Sequence, residues 1–184
     1  KQHSVKQVDN DENYPVRVLY TRPGDSQILR AQVKAIREAK REILLQNAYL
    51  TSDTIIYELA RARRRGVDVR VIIPYEIDYS IINRSNIIAA NAMLKNGIRV
   101  YIYPGMSHVK AAIYDEWACL GSANFDNLSL RINKELNLAT SDTGAVNALK
   151  EQVFRPDMER SVELTEPLPH NWLDHLAELL ADSM

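Results

Sequence analysis

The chain has 184 residues, of which 46% are hydrophobic and 26% charged, and its formal net charge at pH 7 is -1. This composition is typical of a globular protein with a substantial core, and it excludes an overall positive field that would attract nucleic acid. The single cysteine, Cys119, excludes an internal disulfide and a cysteine-based zinc cluster, and its apolar neighbours predict that it is buried. No apolar run reaches the roughly 18 residues that span a bilayer.

The first hundred residues alternate between strand and helix patterns. Residues 1–14 are polar and aperiodic, which predicts a linker or extended arm, and residues 15–184 are predicted to form one domain. Strands are predicted at 15–20, 42–46, 67–74 and 98–103, and helices at 26–40, from 53 to about 65, and at 86–94. This alternation predicts an α/β fold with a mixed, mostly parallel sheet flanked by helices on both faces.

The pattern changes after Gly105. Two short strands at 108–114 and 117–120 are separated by two residues, which predicts an antiparallel hairpin. A strand at 130–139 is predicted to present a polar face, formed by Arg131, Asn133, Glu135 and Asn137. A helix is expected at 143–154, broken by Pro156, and an amphipathic helix at 170–181 is expected to dock on the core.

Four arginines end the second predicted helix: Arg61, Arg63, Arg64 and Arg65. The ordinary interpretation is a solvated helix end whose charges favour the helix dipole. The alternative is a patch that binds the phosphates of lipid headgroups or nucleic acid.

The candidate chemistry begins with His108 and Lys110. Residues i and i+2 of a strand share a face, so the imidazole and the ammonium are expected to point the same way. This pair suits reaction at phosphorus, because a histidine can act as nucleophile or proton donor while a lysine holds a phosphate oxygen.

Further candidates follow along the same stretch. Asp115 stands at an odd separation from the histidine, so it is expected to fix the hairpin turn. Gly121 and Ser122 allow close approach of the backbone to a ligand, and the Asn124 amide can donate to a phosphate oxygen. Glu135 is expected to accept from the other ring nitrogen of the histidine and so set its tautomer.

Tyr75 and Asp78 follow the strand at 67–74 and are candidates for a pocket rim, because ligands bind at the carboxyl ends of strands in open α/β sheets. Taken alone, each of these features is commonly explained by surface charge or by a turn. The ordered set favours a functional site.

The set resembles the HKD signature of the phospholipase D superfamily: His-x-Lys, four residues, Asp, six residues, then Gly-(Gly/Ser)-x-Asn. The flanking segments EILLQNAYL, RGVDVRVIIP and NFDNLSLRINKE resemble the bacterial cardiolipin synthase branch. One departure is that five residues, rather than six, separate Asp115 from Gly121. Removing one residue turns the side chains of the following strand to the opposite face of the sheet, unless the turn is shortened instead.

The resemblance implies a phospholipase D-like sandwich and an enzyme that exchanges phosphodiesters through a phosphohistidine, with no metal or cofactor. It implies catalytic roles for His108, Lys110, Asp115, Asn124 and Glu135. It also implies phosphate binding by Lys110, Ser122 and Asn124.

Such an active site needs two motifs, and this chain has one. The expected partner is a second HKD half, either the N-terminal half of the same protein, which is favoured, or a second copy in a homodimer. In the favoured arrangement His108 is the general acid/base, with nucleophile as the alternative. The implied substrate is a phospholipid, hydrolysed or used for phosphatidyl transfer, at the surface of a membrane that is expected to be the bacterial inner membrane.

Two alternatives remain open. One is a homodimeric single-motif nuclease or phosphodiesterase, although the near-neutral charge makes a nucleic-acid partner unlikely. The other is a non-catalytic half that shapes the site.

Overall fold

The fold is a nine-stranded sheet with helices on both faces, seen in a computed structural model that describes residues 16–76 and 80–168. The strands are β1 Val16–Arg22, β2 Asp25–Ser26, β3 Glu42–Asn47, β4 Asp68–Glu76, β5 Arg99–Met106, β6 Lys110–Tyr114, β7 Trp117–Gly121, β8 Glu135–Thr140 and β9 Val162–Glu163. The helices are α1 Gln27–Glu38, α2 Asp53–Arg64, α3 Ser80–Lys95, α4 Asn127–Arg131, α5 Thr143–Leu149 and α6 Arg155–Glu159, with a π-helical segment at Lys150–Phe154. None of the helices in these ranges is long and apolar enough to cross a membrane. The predicted arm at 1–14, Asp78 and the predicted helix at 170–181 lie outside the described residues.

The strand order is β2-β1-β8-β7-β6-β3-β4-β5-β9. The mixed α/β architecture is confirmed, but the prediction of a mostly parallel sheet is wrong. Only the β3–β4 and β4–β5 pairs of the described strands are parallel, and the other pairs are antiparallel. The parallel pairs arise because α2 connects β3 to β4 and α3 connects β4 to β5. By contrast, α1 leads from the β1–β2 hairpin to β3, which does not pair with either strand of that hairpin. A local pattern identifies strands and helices, but not which strands pair.

Helices cover the two sides of the sheet unequally. On one side, called the α1–α3 face, Ile28, Ile55 and Met93 pack against the strands in the larger core. On the other side, called the α5–α6 face, Val146 and Phe154 pack against residues of β3 to β7. The prediction of helices on both faces is therefore confirmed, and Cys119 is buried as predicted, at 1% exposure.

The predicted strand at 130–139 is partly wrong. Its first part belongs to α4, and β8 begins only at Glu135. The Asp126 side chain accepts a hydrogen bond from the Ser129 N–H at 2.7 Å and so starts a short helix. The polar face that continues along a strand is therefore limited to Glu135 and Asn137.

The helix after β8 also differs from its prediction, because it continues through Pro156 to Glu159. A proline lacks the N–H that an α-helix requires and crowds the preceding turn. Here the wider π-helical turn at Lys150–Phe154 comes immediately before it, and α6 starts at Arg155.

The arginines at the end of α2 act mainly within the fold. Arg65 donates to the carbonyl oxygens of Ile36 and Ala39, and Arg63 donates to that of Val67. Arg61 lies 3.5 Å from the Glu58 carboxylate. These contacts agree with the interpretation as a helix end, with two of the arginines holding main-chain carbonyls.

Asp115 holds the β6–β7 hairpin against the connection between α1 and β3. Its φ of 51° places it in the left-handed region, as a two-residue hairpin turn requires. Its carboxylate accepts from the main-chain N–H groups of Lys40, Arg41 and Glu42 at 2.8 to 3.0 Å. Burial alone would raise the pKa of Asp115, but these three hydrogen bonds outweigh it and lower the pKa.

Replacing Asp115→Asn is expected to destabilise the protein by about 1–3 kcal/mol at neutral pH, because charge-assisted hydrogen bonds are lost. Since the folded pKa is lowered, the stabilisation is present above the unfolded pKa and is lost as the pH falls through the folded value. Urea unfolding at several pH values should show the two proteins converging in acid.

The matched control is Glu116→Gln in the same turn, where the carboxylate is 81% exposed and contacts Arg41. It should change stability by less than about 0.5 kcal/mol. An Asp115→Asn protein as stable as this control across the pH range would contradict the assignment.

Candidate active site

Four residues form a row across neighbouring strands of the α1–α3 face. Asn47 on β3 pairs with Lys110 on β6, and Gly121 on β7 pairs with Asn137 on β8. The β6–β7 ladder pairs Ala111 with Leu120, so its continuation places Lys110 opposite Gly121. The two-residue turn thus absorbs the shortened motif spacing and keeps these residues on one face.

The lysine and the histidine of the motif converge as predicted. His108 precedes β6 rather than belonging to it, and its ring is exposed. The Lys110 Nζ lies 3.2 Å from His108 Nδ1 and 3.2 Å from the His108 carbonyl oxygen. Because an ammonium group only donates, Nδ1 is the acceptor, and the proton of the neutral ring then lies on Nε2.

Lys110 is a buried residue, at 8% exposure. Burial lowers its pKa, and attraction by the carboxylates of Glu135 and Asp126 opposes that shift. The site therefore holds a partly desolvated cation close to an exposed imidazole, which is suited to binding an anion.

Two asparagine side chains hold the loop that follows Gly121. The Asn137 Oδ1 accepts from Ala123 N at 3.2 Å, and the Asn47 Oδ1 accepts from Phe125 N at 3.2 Å. Asn124 lies between these two anchored residues, beside the row that contains Lys110. Both anchoring asparagines are at most 2% exposed.

The side-chain oxygen of Asn124 accepts no hydrogen bond from the described residues. This atom, Oδ1, is also shielded from solvent. A buried polar atom without a partner costs free energy and commonly marks a functional position. Because an amide oxygen only accepts, this atom cannot bind a phosphate oxygen, and phosphate binding by the NH₂ group of Asn124 stays a prediction.

Ser122 and Glu135 close the base of the same loop. The Ser122 hydroxyl donates to the Glu135 carboxylate and accepts from Leu136 N at 3.0 Å. Glu135 also accepts from the Asn133 amide at 3.4 Å. The Ser122 hydroxyl thus positions Glu135, and phosphate binding by Ser122 stays a prediction. The structure places Lys110, not Glu135, on the Nδ1 of His108.

Asp115 does not lie with the other candidates. It follows the last residue of β6, so it is roughly 17 Å along the strand from Lys110, and its carboxylate is engaged by the main chain. The structure gives Asp115 a role in the turn, and the catalytic role that the resemblance implies for it stays a prediction without a contact to support it.

The pocket-rim candidates are only partly described. Tyr75 lies near the carboxyl end of β4, half-buried against the larger core, at the sheet end that holds Asn47. Its contribution to a pocket rim stays a prediction.

Sequence reasoning missed Gln46 and Asn47. The Gln46 amide donates to Ser107 Oγ at 3.2 Å and to Asp157 at 2.7 Å, and so ties the segment before His108 to α6. Two consecutive polar residues at the end of an apolar strand were the available signal.

The family model described as "Cardiolipin synthase, PLD-like domain" matches residues 33–157, more than half of the chain. The chain belongs to this family. This PLD-like domain is 34% identical over 154 residues to cardiolipin synthase A of Pseudomonas entomophila, covering 81% of the chain and 32% of that protein. It is 35% identical over 145 residues to cardiolipin synthase of Listeria welshimeri, covering 77% of the chain and 30% of that protein. The chain thus spans about a third of the length of these relatives.

Solved structures share the fold. Nuc, a phospholipase D family member from Salmonella typhimurium, superposes with a TM-score of 0.72 at 22% identity, covering 81% of this chain and 98% of Nuc. Phosphatidylserine synthase of Haemophilus influenzae superposes with a TM-score of 0.66 at 11% identity, covering 91% of this chain and 46% of that protein. These likenesses confirm the predicted sandwich fold.

Gly121 of the PLD-like domain has no room for a side chain. A Cβ built there would lie 2.4 Å from the Leu136 carbonyl oxygen and 2.6 Å from the Asn137 Cα. Gly121→Ala is therefore expected to push β7 from β8 and cost about 1–3 kcal/mol of unfolding free energy, measured in urea.

Gly144→Ala in α5 is the matched control, because its Cβ would meet only the end of the Asp142 side chain, at 3.2 Å. Alanine is also the better helix former. Equal losses in the two variants would show that the close approach at Gly121 has no special cost.

Proposed function

We propose that the domain supplies one half of the active site of a phospholipase D-type enzyme that hydrolyses phospholipids or transfers phosphatidyl groups. The observation that carries this proposal is the convergence of His108, the buried Lys110 and Asn124 at one end of the sheet. The reaction passes through a phosphohistidine, formed when a histidine attacks phosphorus and the alcohol leaves. Water or a second alcohol then releases the phosphatidyl group.

In this scheme His108 is the general acid and base. The hydrogen bond from Lys110 to Nδ1 leaves the proton on Nε2, where it can be donated to the departing alkoxide. After the transfer, Nε2 can take a proton from the incoming water or alcohol. The nucleophile is then the histidine of a second motif.

Lys110 and Asn124 hold the phosphoryl oxygens. Lys110 is a buried residue whose ammonium is partly desolvated, so little solvent reorganisation is needed when negative charge develops on phosphorus. Glu135, fixed by Ser122, keeps a carboxylate near that ammonium. The substrate class rests on the cardiolipin synthase relatives, and a bilayer lipid as substrate places the enzyme at a membrane surface.

The partner is a second HKD half. Five apolar side chains of β1, β7 and β8, here called the sheet patch, are 39–53% exposed: Val16, Val18, Leu120, Leu136 and Leu138. The patch continues the α5–α6 face, and within the described ranges no element covers it. Leu136 adjoins both Glu135 and Ser122, so the patch extends to the end of the sheet where the site lies.

Removing the imidazole by His108→Ala separates the two possible roles of the histidine. In the intact protein, a general acid role predicts a loss of about 10²- to 10⁴-fold in turnover of a natural phospholipid. A phosphatidyl ester of p-nitrophenol needs little protonation on leaving, so its nitrophenolate burst should survive, as stopped-flow absorbance would show.

A His108→Ala protein that lacks the burst would instead identify His108 as the nucleophile. Unchanged phospholipid turnover would remove it from the reaction altogether. Because the ring accepts a hydrogen bond from Lys110, the variant should stay folded but lose about 0.5–1.5 kcal/mol of stability, as thermal unfolding would show.

The sheet patch is tested by Leu138→Lys in the intact protein. If a second half covers the patch, the variant buries a charge and should lose more than about 2 kcal/mol of stability, together with activity. Ile88→Lys, on α3 at 62% exposure, is the matched control and should be tolerated.

Sedimentation of the parent protein identifies the partner: a monomer carries both halves in one chain, and a dimer brings a second copy. Equal tolerance of the two lysine variants would show that the patch faces solvent.

A further inference from the structure

The short helix α4 holds two large apolar side chains in solvent. Leu128 and Ile132 stand four residues apart and are 60% and 56% exposed. Their neighbours Ser129 and Leu130 are 3% and 0% exposed and anchor the helix on the opposite side. The exposure is therefore imposed by a fixed element, and burying these side chains would contribute favourably to binding.

The exposed apolar pair is flanked by cations. The segment 128–134, LSLRINK, contains Arg131 and Lys134 and no acidic residue. Both cations are exposed, and within the described ranges the Arg131 guanidinium has one hydrogen bond, a long one of 3.4 Å with the Thr54 hydroxyl. Apolar side chains beside exposed cations are complementary to the surface of an anionic bilayer.

This segment is part of the loop between Ser122 and Leu136, here called the catalytic loop. Ser122 and Leu136 are paired through hydrogen bonds in both directions, so the chain between them forms a closed loop. Asn124 and Asp126 lie on one arm of that loop, and Asp126 is close enough to attract the Lys110 ammonium. Leu128 and Ile132 therefore belong to the same closed loop as Asn124.

A second HKD half on the sheet patch does not cover α4. Leu130 of α4 belongs to the core of the α1–α3 face, and α4 packs against β1, β2 and α1. The sheet patch belongs to the opposite face, because Leu120 alternates with Cys119 along β7. The two apolar surfaces therefore lie on different sides of the sheet.

We propose that Leu128 and Ile132 insert at the boundary between headgroups and acyl chains of an anionic phospholipid bilayer, while Arg131 and Lys134 contact headgroup phosphates. The surface deepens the proposed function, on which its role in catalysis rests, by stating how a lipid substrate reaches the site from the bilayer.

The test places a fluorescent reporter at the surface. Ile132→Trp in the intact protein is expected to shift its emission to the blue on vesicles of phosphatidylcholine with phosphatidylglycerol, measured as the difference from the parent protein. Phosphatidylcholine with brominated acyl chains, included in those vesicles, should quench the added fluorescence. Ile88→Trp, equally exposed on α3, is the matched control and should show neither effect.

The charges are tested separately. Arg131→Gln and Lys134→Gln should each weaken vesicle affinity about fivefold when phosphatidylglycerol is present, and should have no effect on neutral vesicles. The double variant Leu128→Ser/Ile132→Ser should weaken affinity roughly tenfold.

Two results would overturn the inference. One is emission from the Ile132→Trp protein that does not respond to anionic vesicles. The other is emission already shifted to the blue without vesicles, which would indicate that protein covers the residue. Because vesicle contact is measured without turnover, a protein that inserts this reporter but exchanges no phospholipid would refute the proposed function and leave the inference standing.

Discussion

The partial desolvation of one ammonium group, that of Lys110, is the constraint on which the site depends. Removing a charge from water costs several kcal/mol unless nearby groups compensate it. Here the compensation comes from the His108 carbonyl and ring and from the carboxylates of Asp126 and Glu135. These residues lie before β6, before α4 and at the start of β8, so three separate segments must converge. The position of the imidazole and of the catalytic loop follows from that convergence.

The convergence of these segments requires that β7 and β8 lie close together, and this is possible because one residue of β7 has no side chain. Gly121 lets β7 approach β8 closely, and Asn137 uses that space to hold Ala123. The missing residue of the motif falls beyond β6, at the far end of the hairpin, where Asp115 adopts a left-handed conformation. With this spacing the β6–β7 register still places Lys110 opposite Gly121. Motif spacing tolerates change where a turn can absorb it, and less so within a ladder.

Local patterns predicted the parts of this fold that depend on local interactions. The β3–α2–β4–α3–β5 alternation, the β6–β7 hairpin and the side on which Lys110 meets His108 follow from residue periods and turn length. The pairing of β1 with β8 cannot be predicted from local patterns, because it joins residues more than a hundred positions apart. The segment at 130–134 was mistaken for strand because its apolar residues alternate, whereas one cap from Asp126 outweighs that alternation. Asn47 escaped notice because its importance lies in two distant contacts, with Ala123 and Phe125.

An enzyme built from two halves that acts on a bilayer lipid has two requirements that compete for surface near its site. A second half must approach closely enough to supply its histidine, and the lipid must enter without leaving the bilayer entirely. Both occupants require apolar surface, and a single patch would bind one and exclude the other. In the proposed scheme the two are separated by sheet face: the sheet patch continues the α5–α6 face, while α4 packs on the α1–α3 face. Because both surfaces meet the catalytic loop, one through Leu136 and the other through Leu128, partner and lipid can reach the same phosphorus from different sides.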